Sequence, residues 1–310
     1  MADAPDREDD RADLLPAHTS EHLSLIATMA ELGGVARYAD LARLGQREVA
    51  AACRDGVIVR NGRGQYIDSG LGDHRRGALS LNGVLSHLSA AVQHGWSLKK
   101  MPDRPHVTVR PNSHARSSAS KRLQVYYRTL PVEEIVDGVT EPLRTVVDCA
   151  RDLAFDEALT VADSALRVGA VGHDELRAMG DCLTGRGAVQ ARAVLAAADG
   201  RAANPLESVL RALCLQVDGL LVQPQVAFEN ATHRAVVDLA DRDLGVVIEG
   251  EGFEAHGSRA GFDKDCRRYT ELVCAGQLVL RCTWTQVMYE PDWVRVRLAE
   301  VVRLARARAV

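Results

Sequence analysis

The stretch RAVVDLADRDLGVVIEGEGF, Arg234–Phe253, decides the fold of the C-terminal part of the chain. It reads as two apolar strands. Asp238 interrupts the first, and Glu249 and Glu251 follow the Val246-Val247-Ile248 run of the second. Side chains alternate along a strand, so Glu249 and Glu251 share a face. Only RDLG joins the two runs, so they are expected to pair as a hairpin, with Asp238 beside Glu249. Two bare carboxylates about 4 Å apart repel by roughly 4 kcal/mol at an effective dielectric of 20. A divalent cation turns that repulsion into attraction, and hard oxygen ligands suit Mg²⁺ or Mn²⁺. The pattern D-x₁₀-E-x-E on adjoining strands therefore predicts a metal cradle of Asp238, Glu249 and Glu251. A cation held there could activate water and neutralise charge on a phosphodiester.

The flanks extend the pattern. NPLESVLRALCLQ (204–216) opens a helix with Asn204 as N-cap, Pro205 at the first helical position and Glu207 at the capping-box position. LVQPQVAF (221–228) reads as a strand, KDCRRYTELVCAG (264–276) as a helix ending at Gly276, and QLVLRCTW (277–284) as a strand. The predicted order is helix, strand, strand, strand, helix, strand. Glu254 and His256 follow the third element closely. Each acid also has a plain structural use: Glu207 as a cap, Asp238 as a strand end, Glu251 or Glu254 on an exposed edge. Gly250 and Gly252 either admit a second backbone, or DNA, at close range or simply loosen the strand.

At the other end, SEHLSLIATMAELGGVA (20–36), RYADLARLG (37–45) and QREVAAACRDG (46–56) read as three helices, the second and third stopped by Gly45 and Gly56. VIVRNGRGQYI (57–67) reads as a hairpin about Asn61-Gly62-Arg63-Gly64. Three helices and a hairpin is the order of a winged helix-turn-helix, whose last helix enters the major groove while the wing touches the backbone. Gln46, Arg47 and Arg54 are then the groove candidates, and Arg60 and Arg63 the wing candidates. A small helical module for protein contacts is the alternative.

Composition sets outer limits. The 310 residues exceed one typical core, so two or three domains are expected. A 26% charged and 46% hydrophobic chain without a membrane-length apolar run is ordinary for a water-soluble protein, here expected in the cytoplasm. Seven scattered cysteines without a C-x-x-C pair predict reduced, mostly buried thiols and no zinc site. The net charge of −4 does not by itself point to nucleic acid. Between Gly72 and Arg128, however, ten bases face two acids, a balance of +8, with five of the ten histidines in the same segment. Arg110, Arg116, Lys121 and Arg122 are its DNA-contact candidates, if the segment is more than a solvated face. The expected division is a disordered tail (1–20), a winged helix-turn-helix (21–70), a basic α/β middle domain (71–200) and a C-terminal domain (201–310). RPHVTVRPN and KRLQVYYRTL alternate as strands in the middle domain, joined by SHARSSAS, before a helical stretch.

GGVARYADLARLGQREVAAACRDGVIVRNGRGQYI, SHLSAAVQHGW, PHVTVRP and VTEPLRTVVDCAR resemble the N-terminal half of an actinobacterial two-part family. That half is similar to AbiEi-type antitoxin and transcriptional-regulator domains. The second half is similar to the very-short-patch repair endonuclease. The resemblance covers roughly residues 20–300, and its most specific part is Asn204–Val294. It implies an α/β (α+β) chain whose C-terminal domain has the PD-(D/E)xK nuclease core, of the restriction-endonuclease-like type with a central mixed sheet. By position, Glu207 matches the helix acid, Asp238 the strand acid and Glu249 the following acid. Glu251 stands where the motif has lysine. The very-short-patch type also lacks that lysine and uses a nearby histidine, which points to His256. Asp265 and Arg268 match a polar pair on the following helix, with Arg268 as a clamp for the scissile phosphate. The implied activity is Mg²⁺- or Mn²⁺-dependent cleavage or nicking of DNA, as in repair. The alternatives are a DNA-binding regulator or antitoxin on an inactive nuclease scaffold, and a module that binds a protein partner through the middle domain.

Overall fold

Gly45 and Gly56 stop the N-terminal helices where the sequence predicts, both with positive φ. In the computed structural model, residues 22–32, 34–60, 64–70, 73–113, 122–229, 234–252 and 259–308 are described. Contacts divide the chain into two units, Met1–Leu85 with Arg104–Leu130, and Ser86–Asp103 with Pro131–Val310. The segment 71–200, expected as one middle domain, contributes to both. The chain is α+β.

The first unit begins α1 (Leu23–Glu31), β1 (Val35–Arg37), α2 (Tyr38–Leu41, prolonged by a 3₁₀ turn at Ala42–Leu44), α3 (Gln46–Arg54), β2 (Ile58–Arg60) and β3 (Gln65–Asp68). Leu25, Met29, Leu41, Val49, Ala52 and Ile58 form its buried core. Each of these side chains larger than alanine contributes about 1.5–3 kcal/mol when fully buried. A Schellman arrangement ends α3: Gly56 N–H donates to Cys53 and Val57 N–H to Ala52. β2 and β3 form the expected antiparallel hairpin; the turn residues 61–63 lie outside the described residues. Sequence did not predict β1, a three-residue strand that gains its ladder only from β3, giving the order β1-β3-β2. Next come α4 (Asp73–Ser80), β4 (Val84–Leu85), β5 (His106–Val109) and β6 (Gln124–Tyr127). β5 and β6 are the two strands expected in RPHVTVRPN and KRLQVYYRTL, and they pair in parallel.

The second unit opens with α5 (His87–Gln93) and a hairpin of β7 (Ile135–Val136) and β8 (Val139–Thr140), turned by Asp137-Gly138 with positive φ at both residues. Helices α6 (Pro142–Asp152), α7 (Phe155–Arg167), α8 (His173–Cys182) and α9 (Ala188–Ala197) follow. Alanine-rich faces such as Ala158, Ala162, Ala165, Ala188 and Ala191 let these helices pack closely around a buried core. Then come α10 (Pro205–Cys214), β9 (Gln223–Glu229), β10 (Arg234–Asp241), β11 (Val246–Glu251), α11 (Arg259–Cys274), β12 (Leu278–Thr283), α12 (Trp284–Tyr289) and α13 (Pro291–Arg308). The sheet order is β12-β11-β10-β9, antiparallel except for the parallel pair β11–β12. A parallel pair needs a crossover, and α11 supplies it. Leu206 and Leu210 of α10 pack with Leu239, Val246 and Ile248, whereas Leu272 and Tyr269 of α11 pack with Val247 and Val226.

Two expectations need correction. A side chain on Gly250 would put its Cβ 3.1 Å from Leu206, so the neighbour that needs this glycine is helix α10. The cysteines are free as expected, yet only Cys149, Cys214 and Cys282 are buried, while Cys182, Cys266 and Cys274 are exposed. Among the described residues no helix is long and apolar enough to cross a membrane.

Candidate functional site in the C-terminal sheet

The hairpin register pairs Leu239 with Ile248. One step further along it lie Asp238 and Glu249. Neither ladder of β10 pairs through Asp238: the contacts to β9 pass from Val237 to Leu239, and those to β11 begin at Leu239. The Asp238 carboxylate instead accepts the Gly250 N–H at 2.8 Å. Glu249 is 3% exposed, and its Oε1 has no hydrogen-bond partner. The charge facing it is the Arg268 guanidinium at 3.4 Å. Burial, with the Asp238 charge added, pushes the Glu249 carboxyl up to about 8. Burial also raises Asp238, against the pull of the Gly250 N–H, Arg268 and a hydrogen bond with Glu249. The two carboxyls thus interact directly and resist carrying two charges.

Glu207 joins them from the first turn of α10, buried to 3% exposure. Its backbone N–H is capped by Asn204 Oδ1, and its carboxylate accepts from Ala203 N–H, Asn204 Nδ2 and Gln225 Nε2. The capping role and proximity to the strand acids therefore coexist in one side chain. Burial raises its carboxyl, and Asp238 adds to the effect. Gln225 was not singled out in the sequence. It lies on β9 with φ +54°, an unusual conformation for a residue other than glycine, asparagine or aspartate, and its side chain reaches Glu207.

Glu251 has a different environment. Its Oε1 accepts from Tyr269 Oη and from Arg281 Nε at 2.7 Å. Arg268 Nη2 donates to the same Tyr269 oxygen at 2.7 Å and lies 3.9 Å from Asp265. The Arg281 and Arg268 guanidinium carbons stand 4.0 and 4.8 Å from the Tyr269 ring centre. Burial and the Glu251 hydrogen bond raise the Tyr269 phenol, which stays protonated. Tyr269 and Arg281 were also missed in the sequence. Arg281 had a signal: it interrupts LVLRC as Asp238 interrupts VVDLA, and the parallel register sets it beside Glu249.

Glu207, Asp238, Glu249, Glu251 and Arg268 are thus brought to one region of the sheet. Glu254 and His256 lie outside the described residues. Among the described residues, no group of three or more His, Cys, Asp or Glu side chains is disposed as a set of metal ligands. The fit to a cation rests on the Asp238–Glu249 pair: two hard oxygen donors forced together, one with an orphaned buried oxygen.

In the first unit, Gln46, Arg47, Ala50 and Arg54 share the exposed face of α3, and Arg60 is exposed on β2. Arg110 and Arg122 are exposed as well. Arg63, Arg116 and Lys121 lie outside the described residues. The +8 count overstates the segment's charge by one, because Lys99 pairs with Asp156 at 2.7 Å; the Lys100–Asp103 pair at 2.8 Å was already counted. Asp156 lies outside the counted stretch, so linear counting missed it.

No family model matches the chain. Two curated Mycobacterium tuberculosis proteins, uncharacterized protein MT2308 (strain CDC 1551 / Oshkosh) and uncharacterized protein Rv2248 (strain H37Rv), are each 32% identical to it over 173 residues. The match spans 54% of this chain and 62% of each relative's length. The crystal structure of the RV2827C protein from the same organism aligns over 64% of this chain and 81% of its own, at 15% identity and a TM-score of 0.35. At that score the likeness carries no argument.

Proposed function

We propose that this is a DNA-binding protein whose C-terminal unit cleaves or nicks DNA with a divalent cation. The observation that supports this most is the Asp238–Glu249 pair. A buried carboxyl held near neutrality beside a second acid, with one oxygen lacking a hydrogen bond, costs stability and gains nothing structural. Asp238 and Glu249 would hold Mg²⁺ or Mn²⁺, which when bound supplies charge neutralisation at a phosphodiester and a more acidic water. The chain's own residues do the rest. Glu207, held by Asn204, Ala203 and Gln225, keeps an acid beside Asp238 and can accept a proton there. Gly250 N–H fixes Asp238, and Arg268 faces Glu249 from α11. His256 takes the role of handling the attacking water. The exposed Arg47 and Arg54 of α3 dock the duplex, with Arg60 and Arg63 at the wing. This is the activity implied by the resemblance to very-short-patch repair endonucleases.

A second reading, a regulator or antitoxin-like protein on an inactive nuclease scaffold, is favoured by one feature. Glu251 occupies the place of the motif's lysine and is tied to Tyr269 and Arg281. The test is metal-dependent nicking of duplex, mismatched and single-stranded DNA by the full chain. Mg²⁺ or Mn²⁺ should support cleavage and EDTA abolish it. Asp238→Asn and Glu249→Gln should each lower the rate by at least about 100-fold, the scale of removing a transition-state charge stabiliser. No cleavage of any of these substrates leaves the regulator reading standing.

A further inference from the structure

The last helix carries a second feature, apart from the carboxylates of the sheet. Arg295, Arg303 and Arg306 lie toward one face of α13. With Gln216, Val217 and Asp218, which follow α10, that face lines a cavity of about 610 Å³. Val217, Val296, Ala299 and Val302 give the cavity an apolar lining. Its charges are unevenly paired. Arg295 is satisfied, since it donates to Gln216 Oε1 at 2.7 Å and pairs with Asp292. Arg303 and Arg306 make no hydrogen bond or ion pair with any described residue, the lining acid Asp218 included. Gly219 has φ +79°, and a Cβ there would collide with the Arg306 guanidinium, so that group lies against bare backbone at the cavity. The negative end of a helix favours a cation, which accounts for Arg306 and Arg308 in the last turn. It does not reach Arg303, more than a turn before the end. An unpaired guanidinium in water costs little by itself. What distinguishes this place is that two unused forks meet at an apolar cavity of a size that takes a small ligand.

We propose that this cavity binds a small organic anion, its apolar body against Val296, Ala299 and Val302 and its carboxylate or phosphate group held by Arg303 and Arg306. A planar guanidinium fork suits either group. Inorganic phosphate is the poorer occupant, because it brings charge and no apolar body for the valines. The backbone of DNA is poorer for the same reason. A bound anion ties α13 to the chain that follows α10, and so braces two helices whose Leu213 and Leu298 already share a core. The site is independent of the nuclease reading.

The test is calorimetric titration of the full chain with octanoate, adenosine monophosphate and inorganic phosphate. Octanoate and the nucleotide present the two anionic groups on an organic body, and inorganic phosphate presents the group alone. At least one of the first two should bind, about ten-fold or more tighter than inorganic phosphate. Arg303→Ala with Arg306→Ala should weaken that binding by at least about ten-fold. Both arginines are exposed, so the fold should survive their loss. Val296→Ser, at a position 50% exposed, should weaken the organic ligand roughly three-fold and leave inorganic phosphate unchanged. Phenylglyoxal labelling read by peptide mass spectrometry locates the ligand: it should protect Arg303 and Arg306 and leave Arg177, 77% exposed on α8, labelled. Failure of both organic anions to bind overturns the proposal, as does binding that the arginine substitutions leave unaltered. Inorganic phosphate binding as tightly as either organic anion also overturns it. So does a DNA duplex that protects the two arginines where the organic anions do not, which would make them a DNA contact. Metal-dependent cleavage, present or absent, bears on the sheet carboxylates alone.

Discussion

Two acids are buried in the C-terminal unit by opposite means. In the helical part, Asp163 of α7 has both oxygens bound: Arg211 Nη2 reaches them at 2.6 and 2.7 Å, and Asp199 N–H adds a third bond. Arg211 is itself buried and also donates to the Ala197 carbonyl. In the sheet, Glu249 is buried to a similar degree beside another acid, with an arginine at 3.4 Å and an orphaned oxygen. The first arrangement satisfies the acid fully and ties α7 to α10, leaving only the Arg211 Nε donor without a partner. In the second it is the acid itself that is left open. A buried acid set beside a second acid, with its own oxygen unpaired, marks a candidate site better than burial or a single orphaned donor does, since the structural pair also leaves Arg211 Nε unpaired.

The largest effect tests the closed pair. Asp163→Ala leaves the Arg211 charge buried with one carbonyl partner, and should cost about 3–5 kcal/mol of stability. Replacing both residues together, as Asp163→Asn with Arg211→Met, should recover much of that loss, because no charge is then left buried and the Asn oxygen can still accept the Asp199 N–H. Denaturant melts of the two variants check this. An Asp163→Ala protein as stable as the parent would erase the contrast with Glu249.

A smaller effect, of opposite sign, belongs to the open pair. Glu249 titrates near 8 in the folded chain, against an ordinary value of 4.5. Between those values the unfolded chain has lost the proton that the folded chain keeps. Stability in EDTA should therefore be greatest below about 4.5, decline as pH rises through 8, and level off above it. Glu249→Gln should flatten this slope and be more stable than the parent at pH 8.5, by an amount on the order of a few kcal/mol at most. Asp238 and Glu207 are also raised by burial, so a shallower slope persists at lower pH. Melting temperatures across pH 4–9 measure it, and an unchanged slope in Glu249→Gln would mean that the pair is not strained.

Much of this site was legible in the sequence because strand parity and a four-residue turn leave little freedom. Asp238 beside Glu249 and Glu207 at the α10 cap follow from alternation, turn length and capping chemistry, whereas Arg268 was named only by the family resemblance. What was not legible came from register between elements distant in sequence. The parallel pairing of β11 with β12, across the crossover helix α11, brings Arg281 to Glu251. The positive φ of Gln225 depends on how β9 meets β10, which no local propensity encodes. β1 was missed for a similar reason, since three residues carry no periodicity and gain strand structure only from β3. The +8 count erred in the opposite direction, by one charge: a linear count cannot see that Lys99 meets Asp156.

The smallest effect on stability concerns charges never removed from water. Arg47 and Arg54 are exposed on α3, seven residues apart and so on one helix face, with Ala50 between them. No desolvation has been incurred there, so Arg47→Ala with Arg54→Ala should change stability by no more than about 0.5 kcal/mol. Their value, if α3 enters a major groove, is in the bound state alone. Each lost phosphate contact should weaken DNA binding and reduce the slope of log affinity against log salt by about one. Each lost base contact should instead cost about 1–3 kcal/mol of discrimination between sequences and leave that slope unchanged. Fluorescence anisotropy across a salt series, with two unrelated duplexes, separates the outcomes. Unaltered affinity, slope and discrimination in a fully folded double variant would mean that α3 presents only a solvated face. The proposed DNA binding would then rest on the C-terminal sheet.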